Sequence, residues 1–316
     1  MADVPMLDLL SVGSWSLFDH IFRLDRYPTS GETVTMNMDA SRIQRTYFGD
    51  CSANLGVVAA RLGVKAGLAM VVGDDFEATG YRSYLEELGI DLSGTLVRSN
   101  AVSGHSFLFF DEDGDGFCAS HLGTAAEQTE MRLSDELVQA ARAVVVSEQF
   151  SAFTLDAIVR ARLAGKMTAI NGMVGTAGSS AAAFLSKADY LFLSHDEFES
   201  LKETLAITDE TAINRLGPKV VFVSMGREGG RILKENSSIS YPVVPPDHLT
   251  DTTGAGDAFA GGALWALLRG LAPSHAARVG ATVASFIIED WGAQTAAPSM
   301  EQVEKRYKFT FQEELL

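Results

Sequence analysis

A chain of 316 residues, 47% of them hydrophobic, has material for one or two domains with a large core. Its net charge of −16 argues against nucleic acid or an anionic membrane as a partner, although a site built from backbone N–H groups can still be locally positive and take a phosphate. Cys51 and Cys118 make neither a disulfide framework nor a zinc pattern, no apolar run approaches the ~20 residues that cross a bilayer, and Met1 to Pro5 lacks a basic leader, so the expectation is a cytoplasmic protein.

In chain order, Leu7 to Val12 reads as a first strand. Ile21 to Phe48 breaks the pattern: Val34, Met36 and Met38 alternate, Pro28 and Gly31 mark turns, and no helix fits. Ser52 to Leu62 is a helix ended by Gly63, Gly67 to Val72 a buried strand, and Phe76 to Leu88 a helix ended by Gly89. Val97 to His121 reads as a hairpin, with Phe107 to Phe110 and Phe117 to Ser120 flanking a turn at Asp111 to Gly116. Ala143 to Val146, Thr168 to Ile170, Tyr190 to Leu193 and Val220 to Val223 are short apolar runs, each behind a helical stretch. Phe259 to Leu271 is a helix, and the tail from Tyr307 to Leu316 docks or frays. Apolar strands alternating with helices imply a mainly parallel sheet covered on both faces. The segments that break this rhythm, about 19–48 and 97–121, read as antiparallel inserts forming a small β-sheet lid on a single domain, residues 1–316. Their strand edges suit pairing between two copies, hence a homodimer through the lid.

The chemistry concentrates in Asp251-Thr252-Thr253-Gly254-Ala255-Gly256-Asp257-Ala258-Phe259, where a turn of small residues enters the apolar helix. Gly254 and Gly256 let the backbone bend sharply and let a ligand approach its N–H groups. The unpaired amides and partial positive charge of a first helical turn suit a phosphate. A carboxylate at that mouth would only repel an anion, unless Asp257 takes a proton from a hydroxyl that attacks phosphorus.

This string resembles DTxGAGD, the signature of the ribokinase (PfkB-type) family of sugar and nucleoside kinases. The resemblance covers most of the chain. It implies a ribokinase-like three-layer α/β/α sandwich with a mainly parallel central sheet and a small β-sheet lid, and it implies ATP and Mg²⁺ as cofactors. It makes Asp257 the base, with the backbone of Gly254, Ala255 and Gly256 stabilising the transferring phosphoryl. Asp19, followed by a Pro28-Thr29-Ser30-Gly31-Glu32-Thr33-Val34 segment like the family's P-x-x-G-E-T-V, would accept hydrogen bonds from sugar hydroxyls. Gly49 and Asn54 match a G-G-x-x-x-N element that meets the acceptor. Asp50 replaces its second glycine and either contacts another group or caps the following helix. Glu197 falls in Ser194-His195-Asp196-Glu197, where the family has N-x-x-E and the Glu helps hold magnesium, commonly through water. Ser224 to Gly230 resembles the T-x-G-x-x-G segment that lies along the nucleotide, giving Ser224, Gly226 and Gly229, with Thr253, as cofactor contacts. Asp251 and the loop near Gly292 match a region that in relatives holds a monovalent cation, so K⁺ dependence is a further expectation. Ala284 to Glu289 resembles archaeal-type nucleoside kinases.

Glu148 and Asn171 follow strands ending at Val146 and Ile170, and ligands of open α/β sheets gather at such carboxyl ends, so both are candidates for the pocket wall. His105 and His121 in the lid could touch substrate. Asp111 to Gly116 opens like a calcium loop, but its twelfth position is Leu122 and its flanks read as strands, so it is taken as a hairpin turn. No P-loop and no strand-borne G-x-G-x-x-G occurs. The resulting reading is an ATP-dependent kinase acting on the hydroxymethyl group of a small sugar, ribokinase- or fructokinase-like. A nucleoside is the alternative acceptor, and a non-catalytic sugar- or nucleotide-binding relative is kept open by the departures at Asp50 and Ser194.

Overall fold

The computed structural model describes residues 6–36, 46–110 and 116–316. Met1 to Pro5, Met38 and the calcium-like stretch up to Asp115 lie outside them. The first half of the chain runs β1 (Leu7–Val12), β2 (Phe18–Arg23), β3 (Tyr47–Phe48), α1 (Cys51–Arg61), β4 (Ala66–Ala69), β5 (Val71–Val72), α2 (Asp75–Ala78), α3 (Tyr81–Glu87), β6 (Leu96–Val97), β7 (His105–Phe110), β8 (Gly116–His121), α4 (Asp135–Ala140) and β9 (Ala141–Ser147). The second half continues α5 (Ala152–Leu163), β10 (Met167–Asn171), α6 (Ala181–Leu185), β11 (Tyr190–Ser194), α7 (His195–Thr204), β12 (Val220–Ser224), β13 (Gly230–Lys234), β14 (Ser237–Tyr241), α8 (Ala255–Leu268), α9 (Pro273–Ile287) and α10 (Met300–Phe311).

The main sheet has the order β14-β13-β12-β11-β10-β9-β1-β4. It is parallel from β12 to β4, and β13 and β14 are added antiparallel at one edge. Successive strand residues feed opposite cores. Leu9, Ala143, Val145, Phe192 and Phe222 pack with α1, α8, α9 and α10 on one face. Leu10, Val144, Val146, Leu191 and Val223 pack with α4, α5, α6 and α7 on the other. Burial on both faces explains why these strands are unbroken apolar runs.

α8 is buried from Asp257 to Leu268, so it is a central helix rather than an amphipathic one. It approaches its neighbours closely through glycine: a Cβ on Gly280 of α9 would lie 2.6 Å from the Phe259 carbonyl oxygen, and one on Gly261 would lie 2.8 Å from the Val58 side chain. The tail docks. A capping box joins Ser299 and Gln302 at the start of α10, and Tyr307 is fully buried.

The lid is a second sheet, β3-β2-β7-β8. The inserts were expected to be antiparallel, and β2–β3 and β7–β8 are. The two inserts meet, however, through a parallel β2–β7 pairing, Phe18 opposite His105 to Arg23 opposite Phe110. The reason is local. Both strands leave the body at one point, where the Leu17 and Phe18 amides donate to the Gly104 carbonyl at 2.9 and 3.3 Å, so they must run in the same direction. Two other expectations change. The strand from Gly67 splits, β5 leaving the main sheet to pair with β6. The helix from Phe76 breaks at Gly80, whose φ of +81° no helix accommodates.

Candidate active site

The carboxyl ends of β12, β11, β10, β9 and β1 lie side by side, and the expected site residues follow them. α8 delivers its amino end to the same edge. Gly254, at φ +76°, is its N-cap, and a Cβ there would sit 2.3 Å from the Ala293 Cβ. A Cβ on Gly256 would meet nothing within 4 Å, so the space over that residue is open. Among the described residues, the amides of Gly254, Gly256 and Asp257 donate to no protein acceptor. The amide of Ala255 does, to the Thr252 carbonyl at 3.2 Å. The cradle expected from Gly254, Ala255 and Gly256 is therefore corrected: the turn that Thr252 closes on Ala255 occupies one amide, and Asp257 contributes its own.

The Asp257 carboxylate is 7% exposed and held on both oxygens. The Asn54 side-chain amide donates to Oδ2 at 2.8 Å and that of Asn171 to Oδ1 at 2.7 Å. Burial raises its pKa to about 6 while these donors pull it down. Asn54 and Asn171 were expected against the acceptor; both are committed to the aspartate. Asn54 is held in turn by Gln294, whose side-chain amide donates to Asn54 Oδ1 at 2.8 Å and to the Gly49 carbonyl at 3.2 Å. Gln294 and Tyr81, whose hydroxyl donates to the Gly49 carbonyl at 2.7 Å, carry no motif that singles them out in the sequence.

Three further carboxyls surround the same space. Asp19, on β2, sits against Gly49, where any Cβ would lie 2.5 Å from its Oδ2. Burial, and then Asp251, Asp50 and Asp257, push its pKa to about 8. Glu148 follows β9 with φ +36°, beside Gln149 at φ +43°, a strained pair of residues. Burial raises its pKa to about 8 against a hydrogen bond from Cys51. Asp50 stands at φ +79°, where glycine would be unstrained. It does cap α1, its Oδ1 accepting from the Ser52 and Ala53 amides at 2.9 and 3.2 Å, and its Oδ2 also accepts from the Trp15 amide at 2.8 Å. Burial takes it to about 7.

These groups line a cavity of about 370 Å³ between body and lid. Asp19, Asp50, Asn54, Glu148, Thr253, Gly254 and Asp257 face it, with Trp15, Leu108, Cys118 and Met173 supplying its apolar part. Trp15 was not anticipated. His105 and His121 do not line it. His105 instead meets Asp75 Oδ2 at 3.1 Å and His20 at 2.9 Å, and His121 ends the exposed strand β8.

Of the expected nucleotide contacts, Thr253 faces the cavity and the others lie outside it, along the same sheet edge: Ser224 ends β12 opposite Ser194, and Gly226 and Gly229 follow with φ of +54° and +79°. Glu197 closes a capping box, Oε2 accepting from the Ser194 amide at 2.6 Å, which leaves Oε1 uncommitted among the described residues. Asp251 is more fully used. Its Oδ1 accepts from the Thr253 amide and hydroxyl at 3.0 and 2.8 Å, and its Oδ2 from the Gly292 amide at 2.9 Å. It staples the loop before α8 to the Gly292 loop.

The family model described as pfkB family carbohydrate kinase matches residues 8–300. The chain belongs to that family. A nucleoside kinase of Methanothermobacter thermautotrophicus is 30% identical over 303 residues, 95% of each chain. The nucleoside kinase of Burkholderia thailandensis in complex with inosine superposes with a TM-score of 0.82 at 21% identity, covering 97% of this chain and 98% of that one. Arabidopsis thaliana ribokinase complexed with ribose and ATP gives 0.77 at 22% identity, covering 96% and 99%. This PfkB-family chain is a phosphotransferase with an alcohol acceptor, in a family whose kinases use ATP. None of its described helices is long and apolar enough to cross a membrane.

Proposed function

We propose that this kinase transfers the γ-phosphoryl group of ATP to the hydroxymethyl group of a nucleoside. The observation that carries the reading is Asp257: a carboxylate fixed by Asn54 and Asn171, beside the unpaired amides of Gly254 and Gly256, at the edge of a cavity. The sequence favoured a free sugar. Support for the nucleoside comes from the 30% identical relative and from the cavity, whose lining adds Trp15, Leu108, Cys118 and Met173 to its carboxyls. A free pentose needs only the carboxyls.

Asp257 takes the proton of the attacking hydroxyl, and its pKa of about 6 leaves it ionised at neutral pH. The Gly254, Gly256 and Asp257 amides meet the charge on the transferring phosphoryl. Asp19 and Glu148, raised to about 8, retain protons at pH 7 and so donate as well as accept, which suits a vicinal diol. Magnesium bound with the nucleotide would neutralise its charge; Glu197 Oε1 is free to hold one of the ion's waters. Among the described residues, Asp251 Oδ2 accepts only from the Gly292 amide and keeps a lone pair, which suits the monovalent cation expected there.

ADP release with Mg·ATP over a panel of nucleosides and pentoses tests the reading. We expect turnover with a nucleoside and a loss on the order of 10²–10⁴-fold in Asp257→Asn with acceptor binding kept. A variant within a few-fold of wild type would remove Asp257 from the base's role. Tight acceptor binding without turnover would mark a sensor instead.

A further inference from the structure

Trp15 is the largest side chain on the cavity and has no part in the chemistry just described. It lies in the loop between β1 and β2, and three contacts fix it. Its amide donates to Asp50 Oδ2 at 2.8 Å, so the residue that caps α1 also sets the loop's height over the site. Its indole N–H donates to the Ser120 hydroxyl at 3.2 Å, across the cavity mouth on lid strand β8. Its carbonyl lies under the lid hinge, where a Cβ on Gly104 would come within 1.8 Å of that oxygen, so only glycine permits the approach.

Trp15 is thus held on the body side and on the lid side at once. An indole whose N–H is already committed offers a ligand its ring face, and a ring face recognises a flat aromatic group. The cavity's other apolar members, Leu108, Cys118 and Met173, line it together with Asp19, Glu148 and Asp257. Asp50 acquires a reason for its strained φ of +79°: a glycine there would relieve the backbone but release the Trp15 amide.

We propose that Trp15 is the specificity-determining residue of this kinase, the platform on which the acceptor's nucleobase stacks, and that Asp50 is its positioning residue. The inference rests on the nucleoside reading above and goes beyond it by naming what selects the base over a bare pentose.

Steady-state kinetics of the full chain with inosine, cytidine and ribose as acceptors test it. In Trp15→Ala, KM for a nucleoside should rise about 10- to 100-fold, the range expected for a lost base–aromatic stack, with a smaller change in kcat. KM for ribose should stay within a factor of about two. Trp15→Phe should restore most of the nucleoside KM. Asp50→Asn keeps a capping oxygen but turns a donor toward the Trp15 amide. It should raise nucleoside KM several-fold and leave the ratio of ribose to nucleoside turnover shifted toward ribose. If Trp15→Ala does not fold, tryptophan fluorescence decides: inosine should quench wild type and not Trp15→Phe. Nucleoside turnover with KM unmoved in Trp15→Ala, or equal quenching in both proteins, overturns the platform and leaves the nucleoside reading standing. A wild-type enzyme that phosphorylates ribose and no nucleoside overturns both.

Discussion

Asp257 shows how a single carboxyl can be tuned by what holds it. Burial pushes its pKa up, and donors from Asn54 and Asn171 pull it back to about 6. Removing one donor removes part of the pull. Asn171→Ala should therefore move the acidic limb of the kcat/KM profile to higher pH, and the activity lost at pH 6 should exceed that lost at pH 8. A pH–rate profile with an unmoved limb, whatever the overall loss, would mean that Asn171 does not set this pKa. The sequence could mark Asp257 because a nine-residue string surrounds it. It could not show Asn54 and Asn171 converging on it, since 203 and 86 residues separate them from Asp257. Gln294, Tyr81 and Trp15 were illegible for a related reason. A glutamine, a tyrosine and a tryptophan are ordinary core or surface residues until folding sets them against Gly49, Asn54 or the cavity.

Among the elements, those buried on both faces were the readable ones. β1 and the strands β9 to β12 are apolar runs because each side faces a helix layer. The polar edge strand β14, Ser237–Tyr241, has four exposed residues of five and no comparable signature. Lid pairing was half legible: each hairpin is local, but the parallel β2–β7 register depends on where two distant segments leave the body. Among the described residues, the lid also ends in an open edge. All six residues of β8 are exposed, and Phe117 shows 52% of its surface. Unpaired strand edges invite another strand, so two copies are expected to join through β8. Light scattering at micromolar concentration should give twice the chain's 33.9 kDa, and Cys118→Pro, which deletes an amide that faces away from β7, should halve it. A wild-type monomer would dispose of the lid dimer.

At the scale of the whole molecule, the site concentrates carboxyls that would each be ionised in the unfolded chain at neutral pH. Burial raises Asp257 to about 6, Asp50 to about 7, and Asp19 and Glu148 to about 8. A carboxyl whose folded pKa is raised binds its proton more tightly when folded. Its contribution to stability is complete below the ordinary carboxylate range and is lost as pH climbs through the raised value. Other carboxyls act in the opposite direction. At Asp189, burial alone would raise the pKa, but Lys219, the Thr168 amide and Arg162 together lower it, so its contribution is lost on acidification. Stability should therefore peak near the ordinary carboxylate range, at about pH 4, and decline from there to about pH 8. Thermal unfolding without ligand should show the midpoint falling by several degrees over that interval. Glu148→Gln, neutral at every pH, should flatten the decline. The kinase would then work at a pH where Asp257 is ionised and its own fold is past its most stable point, a cost that crowding acid groups around a phosphoryl-transfer site makes hard to avoid. A midpoint that is level or rising between about pH 5 and 8 would contradict this, and would imply that these carboxyls are solvated in the free enzyme rather than desolvated by the closed lid.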